Sequence, residues 1–328
     1  MSGLKIGIVG ATGLVGQELV SIIERSSLEV NDLRFFASGH SSGMYLNFRG
    51  ESISVIELAE DVSFDLNYMF FCVCPRVSER FIPIFSKRGI VCIDNSSRYR
   101  LRDDVPLVIP EINSQTLKNH RNIIANPNCS TIIALMALAP LHEIFGLRGL
   151  CVSTYQAVSG VGKNGISALM NDLEGDSSLA IDTFGHRIAF NAVPKIGEIY
   201  ETGYSVEEQK MSDESKKILA RNDLRISAIC VRVPVMRAHS MSIFASFEKL
   251  VDLNKAKSTL EQSENIDFCG EGIFPCALDV SEKDLCKVSR LRTDSFVENG
   301  LSMWVVGDQI RKGAALNAFQ IMLALEKL

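Results

Sequence analysis

Residues 4–16 read LKIGIVGATGLVG, and this stretch decides the fold of the chain. Residues 4–9 are a short apolar run typical of a buried strand, and residues 17–25 carry apolar side chains at helical spacing. Between them lie Gly10, Gly13 and Gly16, a Gly-x-x-Gly-x-x-Gly variant of the commoner Gly-x-Gly-x-x-Gly spacing. Glycines permit a tight turn and let a pyrophosphate approach a helix N-terminus, so this order is typical of a dinucleotide-binding fingerprint. We therefore expect a Rossmann-type domain at the start of the chain.

Apolar runs that alternate with helical segments continue this pattern. Such alternation is typical of an α/β fold with a doubly wound parallel sheet, whose ligands bind at the carboxyl ends of the strands. We predict the further strands of this sheet at residues 33–38, 68–73, 90–94, 107–110 and 122–125.

The pattern changes after residue 129. A long strand begins at residue 150 and runs into a loop, and residues 241–249 alternate as in a half-exposed antiparallel strand. Residues 225–233 form another apolar strand, and residues 308–328 are helical in pattern. We predict a dinucleotide-binding domain at residues 1–129, completed by residues 308–328, and a second, α+β domain at residues 130–307.

Composition excludes several classes of protein. The chain has 328 residues, of which 46% are hydrophobic and 22% charged, with a net charge of -5. Two ordinary globular domains fit this length. No basic block favours nucleic acid, and no apolar run is long enough to span a bilayer. Because no leader pattern opens the sequence, we expect a cytoplasmic protein.

The nine cysteines show no paired framework and no Cys-x-x-Cys spacing. We expect no metal site and no disulfides. Cys72, Cys92, Cys151 and Cys230 lie in apolar strands, where a reduced thiol packs as a small hydrophobe.

Cys129 stands out from the other cysteines. It follows a Pro-Asn turn in the stretch NPNCST, residues 126–131, and an apolar run at 132–138 comes next. This predicts a buried helix with Cys129 at its N-terminus. Backbone N–H groups and the helix dipole favour a thiolate there and can stabilise an oxyanion. The alternative is a structural cysteine.

The loop after the second predicted strand bears on the choice of dinucleotide. NAD-binding folds usually place Asp or Glu at this strand end to bind the ribose 2′-hydroxyl, and the sequence here has Ser38, Gly39, His40 and Ser41 instead. Hydroxyls and a histidine can accommodate a 2′-phosphate, which favours NADP over NAD. The alternative is a plain Ser/Gly loop.

Short blocks of characteristic sequence occur in order along the whole chain. They are GATGLVG at 10–16, DNSS at 94–97, VPLVIPE at 105–111, NPNCST at 126–131, STYQAVSG at 153–160, FNAVP at 190–194, VRVP at 231–234, AHS at 238–240 and KGAA at 312–315. The most specific are the Asn-Cys-Ser-Thr block and an arginine seven residues before a histidine. Together these blocks resemble one family, the bacterial type of aspartate-semialdehyde dehydrogenase.

The resemblance implies a phosphorylating aldehyde dehydrogenase that uses NADPH to reduce β-aspartyl phosphate to aspartate semialdehyde and phosphate. It places the reaction in lysine, threonine, methionine and diaminopimelate biosynthesis. It also implies a homodimer whose second domain binds substrate and dimerises.

The resemblance also implies roles for single residues. Cys129 would form a thioester, His239 would be the acid/base, Gln156 would orient the acyl group and Asn128 would help hold the oxyanion. Arg232 would bind the substrate carboxylate. The phosphate site would consist of Arg100 and Lys210, with Glu207 beside Lys210. The cofactor would contact Gly10, Thr12, Gly13, Leu14, Val15, Gly16, Ser38, His40, Ser41, Ser159, Gly160 and Asn317.

Some of these residues have structural alternatives. Arg232 on an apolar strand can be an ion-pair partner, and Glu207 with Lys210 can be an ordinary charge pair on a helix surface. Most histidines are structural or exposed, and His40 and three others have that alternative.

Three departures from the family pattern bear on function. The loop at 72–76 reads CVCPR where relatives commonly have Ser-Ala-Gly-Ser-Ser, and Arg76 there is a candidate cation for a 2′-phosphate. His40 stands where relatives often have Arg, which predicts a weaker preference for NADP. Residues 170–187 are short where relatives often have a helical insertion, which predicts a reduced dimer contact.

Other functions remain open. An N-acetyl-glutamyl-phosphate reductase shares the Cys–His chemistry, although Arg232 and the Gln156 block favour the aspartate enzyme. A glyceraldehyde-phosphate dehydrogenase is disfavoured because its Ser-Cys-Thr-Thr block is absent. A catalytically silent relative acting as a cofactor sensor is the third alternative.

Overall fold

The computed structural model describes residues 3–62 and 64–328. The chain divides into two compact units, the first made of Met1–Pro127 with Ala314–Leu328 and the second of Asn128–Gly313. The sequence analysis placed these boundaries at residues 129 and 308. By this division Cys129 is the second residue of the second unit.

The first unit contains a seven-stranded sheet in the order β3-β4-β2-β1-β5-β6-β7, parallel except for the antiparallel β3–β4 pair. The predicted doubly wound sheet is therefore confirmed. Its strands are β1 (Leu4–Val9), β2 (Val30–Ala37), β3 (Tyr45–Phe48), β4 (Glu51–Glu57), β5 (Tyr68–Phe71), β6 (Val91–Asp94) and β7 (Ile123–Ala125).

Helices cover this sheet. The inward side chains of β1, Ile6 and Ile8, have no exposed surface, and they pack in one core with Leu19 and Ile23 of the first helix. Burying each such side chain contributes roughly 1.5–3 kcal/mol. The first helices are α1 (Leu14–Arg25), α2 (Pro75–Lys87) and α3 (Pro110–Asn113).

The strand predicted at residues 107–110 is wrong. Only Leu107 forms an isolated bridge, with Ala125, and Pro110 begins α3. The side chain of Asn113 accepts the N–H of Ile109 and donates to the carbonyl of Leu107, each at 2.9 Å. The Asn113 side chain therefore takes the place of a neighbouring strand as the hydrogen-bond partner of these backbone groups. Pro110 has no N–H that could continue a β-ladder.

The second unit contains a six-stranded mixed sheet in the order β11-β12-β13-β10-β8-β9, which confirms the expected α+β character. Its strands are β8 (Leu147–Gln156), β9 (Arg225–Arg232), β10 (His239–Phe247), β11 (Ile266–Phe268), β12 (Cys286–Thr293) and β13 (Gly300–Gly307). Its helices are α4 (Cys129–Phe145), α5 (Lys163–Leu173), α6 (Ser178–Phe184), α7 (Val206–Ile218), α8 (Leu253–Glu261) and α9 (Ala277–Val280).

The C-terminal segment belongs to the first unit from residue 314 onward. A π-helical turn, Arg311–Ala315, precedes α10 (Leu316–Leu325), so the predicted helix begins later than residue 308. Ile321 and Met322 of α10 join the core beneath β1. None of the helices formed by the described residues is long and apolar enough to cross a membrane.

The cysteines follow the expectation in part. All nine are free thiols. Cys92 and Cys230 are buried, and burial raises the pKa of Cys230 to about 12. Cys151, in contrast, is exposed, because it lies on the outward face of β8, so its predicted core position is wrong. Cys72 lies just after β5, and burial raises its pKa to about 12.

Candidate active site

Three polar side chains lie at the same end of three strands of the six-stranded sheet. Gln156 ends β8, and Arg232 ends the parallel strand β9 directly opposite it. His239 begins β10, which runs antiparallel to β8 with Ser240 opposite Tyr155. All three side chains belong to buried residues, at most 4% exposed. The spacing of seven residues between Arg232 and His239 corresponds to the loop that connects the end of β9 to the start of β10.

Cys129 is the first residue of α4, as its sequence context predicted. Asn128 caps the helix, and its side-chain oxygen accepts the N–H groups of Ser130 at 2.9 Å and Thr131 at 3.2 Å. The body of α4 is almost wholly apolar and buried, which fixes the helix in the unit. The Cys129 side chain is therefore held at the positive end of a rigid helix.

The contacts of His239 determine its protonation. Its Nε2 lies 3.6 Å from Cys129 Sγ, and its Nδ1 accepts the backbone N–H of Ala157 at 3.1 Å. A neutral ring with Nδ1 as acceptor carries its proton on Nε2, so an N–H points at the sulfur. Burial, and then the charge of Arg232, lower the pKa of His239 to about 3. At neutral pH the ring is an uncharged hydrogen-bond donor to Cys129.

Glu207 of α7 connects several site residues. Its Oε1 accepts from Asn128 Nδ2 at 2.8 Å and from Gln156 Nε2 at 3.4 Å, and its Oε2 accepts from Lys210 Nζ at 3.3 Å. Gln156 Nε2 also donates to Ser130 Oγ. One carboxylate thus positions the helix cap, the amide and the lysine together, which a surface charge pair would not do.

Arg232 is a buried cation near this group. Its Nη1 donates to the carbonyl of Ala157 at 2.6 Å, and burial lowers its pKa from the ordinary value. Gly160 lies against it, since a Cβ on Gly160 would lie 2.7 Å from Nη1. A buried guanidinium with further donors suits a carboxylate ligand.

Sequence reasoning missed three residues of this site. Glu214 accepts the backbone N–H of Asn128 at 2.6 Å. Its position seven residues after Glu207 places both on one face of α7, a signal present in the sequence. Gln309 accepts the N–H of Ala238 at 2.7 Å, beside His239. Gly313 is required by packing, since a Cβ there would lie 2.8 Å from Cys129 Cβ.

The predicted dinucleotide-binding site, at the carboxyl ends of the parallel strands, lies in the first unit. Gly10 has φ +79°, and a Cβ on it would lie 2.3 Å from the carbonyl oxygen of Cys72. A Cβ on Gly16 would lie 2.2 Å from the carbonyl oxygen of Gly10, so no larger residue fits either position. Within the described part of the chain no side chain caps α1, whose N-terminus follows Gly13. This cradle fits a pyrophosphate.

The remaining predicted cofactor residues fall in both units. In the first, Thr12 Oγ1 donates to Ser41 Oγ at 3.5 Å, and Ser38, His40 and Ser41 form the turn after β2. Leu14 and Val15 open α1.

Two other predicted contacts have internal partners. Ser159, in the second unit, donates to the carbonyl of Met236 and accepts from Gln309 Nε2 at 2.6 Å. Asn317 is buried in the first unit, where its Nδ2 donates to Asn126 Oδ1 at 2.6 Å.

Arg100 and the loop at 72–76 also belong to the first unit. Arg100 is buried and donates to the carbonyls of Asn126 at 2.9 Å and Asn95 at 2.8 Å. Cys74 precedes α2 and Arg76 is exposed on its first turn. Among the described residues, no group of three His, Cys, Asp or Glu is arranged to hold a metal ion.

Comparison with known proteins gives the class. A family model described as semialdehyde dehydrogenase, NAD binding domain, matches residues 5–120. A second, semialdehyde dehydrogenase, dimerisation domain, matches residues 138–312. The fold and these matches define a semialdehyde dehydrogenase, an oxidoreductase with an NAD(P)-binding domain.

Individual relatives are more specific. The aspartate-semialdehyde dehydrogenase of Aquifex aeolicus is 41% identical over 335 residues, which cover 99% of this chain and 98% of that protein. A crystal structure of aspartate semialdehyde dehydrogenase II from Vibrio cholerae, complexed with ASA, has a TM-score of 0.96 and 35% identity, covering 100% and 99% of the two chains. The Candida albicans enzyme with NADP has a TM-score of 0.80 and 25% identity, covering 99% of each. This chain belongs to the aspartate-semialdehyde dehydrogenase family.

Proposed function

We propose that this protein reduces β-aspartyl phosphate to aspartate semialdehyde with NADPH, and that Cys129 carries the acyl group as a thioester. The observation that carries the proposal is Cys129 Sγ at a helix N-terminus, 3.6 Å from the Nε2 of a buried, neutral His239. Family membership supports the substrate. The same residues run the reverse reaction, in which phosphate cleaves the thioester.

The first step is acyl transfer to sulfur. The Cys129 thiolate attacks the acyl carbon, the carbon–sulfur bond forms, and the bond from carbon to the phosphate oxygen breaks with release of phosphate. The positive end of the α4 dipole favours the thiolate and the oxyanion that forms on the carbonyl. Glu207 accepts hydrogen bonds from the side chains of Asn128 and Gln156 and so fixes both amides. This supports the proposed roles of Gln156 in orienting the acyl group and of Asn128 in holding the oxyanion.

The second step reduces the thioester to a thiohemiacetal. When bound, the dinucleotide supplies the reducing equivalent. The thiohemiacetal forms as an oxyanion, which re-forms a carbonyl as the carbon–sulfur bond breaks. This releases the aldehyde and restores the Cys129 thiolate, with no proton transferred. The Nε2–H of His239 faces the sulfur, so it is positioned to donate a hydrogen bond to the thiolate and to the oxygen of the thiohemiacetal. To act as an acid or a base at Nε2, the ring would have to carry a proton on Nδ1. In this structure Nδ1 instead accepts the N–H of Ala157.

Charged residues would bind the substrate. The α-carboxylate suits the buried guanidinium of Arg232, which can form two parallel hydrogen bonds. Lys210, half-buried with its Nζ 3.3 Å from Glu207 Oε2, suits the phosphate. The phosphate-binding role of Arg100, which the family resemblance implies, stays a prediction. The glycine edge, with Ser38, His40 and Ser41, would bind NADP, with a weaker preference than relatives that have an arginine near the 2′-phosphate.

The assembly and the pathway follow the family. We propose a homodimer formed through the second unit, which matches the dimerisation model. The outward face of its sheet exposes Cys151, Tyr155 and Ile229, the last 57% exposed, which supports an interface there. We assign the reaction to cytoplasmic synthesis of diaminopimelate, lysine, threonine and methionine.

The deciding experiment follows absorbance at the NADPH band with aspartate semialdehyde, NADP and phosphate. We expect NADPH formation that depends on phosphate and falls at least about 10⁴-fold in Cys129→Ala. A control, Cys276→Ala, should keep full activity, because Cys276 is an exposed thiol to which the mechanism gives no role.

Absence of NADPH formation would contradict the proposal. N-acetylglutamate semialdehyde would then be tested as substrate for the reductase alternative. If neither aldehyde reacts while the dinucleotide still binds, the silent-relative alternative is favoured.

A further inference from the structure

The end of β2 has no acidic residue, but the neighbouring strand β4 ends in one. In the sheet β2 pairs with β4, and Ala37 lies opposite Glu57, the last residue of β4. The N–H of Leu58 donates to the carbonyl of Ala37 at 2.9 Å, so this pairing continues to the carboxyl ends of both strands. Glu57 comes 20 residues after Ala37 in sequence and is its neighbour only through the sheet.

The carboxylate of Glu57 reaches the loop that follows β2. A Cβ placed on Gly39 would lie 3.1 Å from Glu57 Oε1 and 3.5 Å from Oε2, so both oxygens face the Gly39 backbone. Gly39 begins the turn Gly39–Ser41, and Ser41 is joined to Thr12 of the glycine turn by a hydrogen bond. The exposed carboxylate therefore stands at the same edge of the sheet as the pyrophosphate cradle.

In doubly wound folds, an acidic residue near this end of the sheet affects whether NAD or NADP binds. An acid at the end of the second strand accepts hydrogen bonds from the ribose hydroxyls of NAD, and the same charge repels the 2′-phosphate of NADP. His40, on the same turn, lacks the permanently charged, planar guanidinium with which an arginine would offset that repulsion.

We propose that Glu57 is the residue that interacts with the 2′ position of the adenosine ribose, and that this interaction lets the protein bind NAD(H) as well as NADP(H). The inference rests on the dinucleotide binding of the proposed function and adds the determinant of its selectivity. Glu57 lies on β4, so the dinucleotide-binding fingerprint, which covers only β1, α1 and the end of β2, does not include it.

The test is equilibrium binding of NADH and NADPH, measured by nucleotide fluorescence on the full-length protein. In Glu57→Gln we expect NADH to bind about tenfold more weakly, since a charged hydrogen bond to the ribose is lost. NADPH should bind about fivefold more tightly, since one exposed repulsion is removed. The matched control is Glu51→Gln, at the opposite end of β4, and it should change neither constant.

Ionic strength provides a second measurement that needs no variant. Salt screens charges near the surface. If Glu57 repels the 2′-phosphate, raising salt should strengthen NADPH binding relative to NADH in the wild-type protein. A site that holds this phosphate with cations should show the opposite trend.

Two results would overturn the proposal. One is an unchanged ratio of NADH to NADPH affinity in Glu57→Gln, and the other is a wild-type ratio that shifts toward NADH with salt. If Glu57→Gln binds neither nucleotide, the salt series decides. These assays need no turnover, so a failure of the aspartate semialdehyde reaction would be seen separately.

Discussion

The dinucleotide edge of the first unit and the Cys129 site of the second are built in different ways. The glycine cradle is local, since Gly10, Gly13 and Gly16 lie within one turn between β1 and α1. The Cys129 site draws on α4, α7 and three strand ends, with hydrogen-bond partners up to 110 residues apart in sequence. A local motif can be found by inspection of the sequence, whereas a site made of distant segments depends on strand register.

The Cys129 site should therefore be sensitive to the geometry of single atoms. We expect His239→Ala to lower kcat about 10³-fold, the cost of removing a positioned donor to a developing charge. His239→Gln places an amide N–H near the position of Nε2–H and should retain about tenfold more activity than His239→Ala. The measurement is kcat with aspartate semialdehyde, NADP and phosphate.

Equal kcat values for the two His239 variants would contradict a donor role. They would favour proton transfer by the imidazole, which an amide cannot perform. NADP binding by both variants serves as the folding control.

Packing against Cys129 should matter next. Gly313→Ala places a Cβ 2.8 Å from Cys129 Cβ and must displace the thiol. Because a 1 Å displacement of a reacting group can cost about 10²-fold, we expect kcat to fall between about tenfold and 10²-fold. The matched control is Gly270→Ala, in the same unit, where a Cβ meets nothing within 4 Å.

A Gly313→Ala protein with normal kcat would show that the close approach to Cys129 is unimportant. The rate of Cys129 alkylation in both variants separates a displaced thiol from a general loss of structure.

The smallest expected effect concerns pH. The pKa of His239 is lowered to about 3, so the ring gains no charge as pH falls from 8 to 5. The alkylation rate of Cys129 should then decrease toward acid through one ionisation, that of the thiol. Any further change attributable to His239 over this range should stay below about twofold, since the fraction of charged ring remains small.

A second inflection between pH 5 and 7 that disappears in His239→Gln would contradict a neutral His239 and indicate a thiolate–imidazolium pair. Cys92 and Cys230 do not obscure the profile, because both are buried. The exposed Cys74, Cys151 and Cys276 are distinguished by mass spectrometry of the labelled peptides.

Local pattern predicted much of the first unit and part of the second. The turn at residues 10–16 and the helix that begins at Cys129 depend on neighbours a few residues away, and both predictions were confirmed. The strand at 107–110 was wrong, because the side chain of Asn113 takes the backbone partners that a strand would need. Cys151 was misplaced, because apolar neighbours in sequence do not reveal which face of β8 is covered.

The sequence by itself determined the class of fold, the position of Cys129 at a helix N-terminus and the family, because these depend on short patterns and on blocks in order. Only the tertiary structure decided which nitrogen of His239 carries the proton, since this depends on the N–H of Ala157, 82 residues away. It also brought Glu57 beside Gly39, and it brought Glu207 and Glu214 of α7 to Asn128. These contacts arise from strand pairing and helix packing, which fix distances between residues that the chain itself leaves far apart.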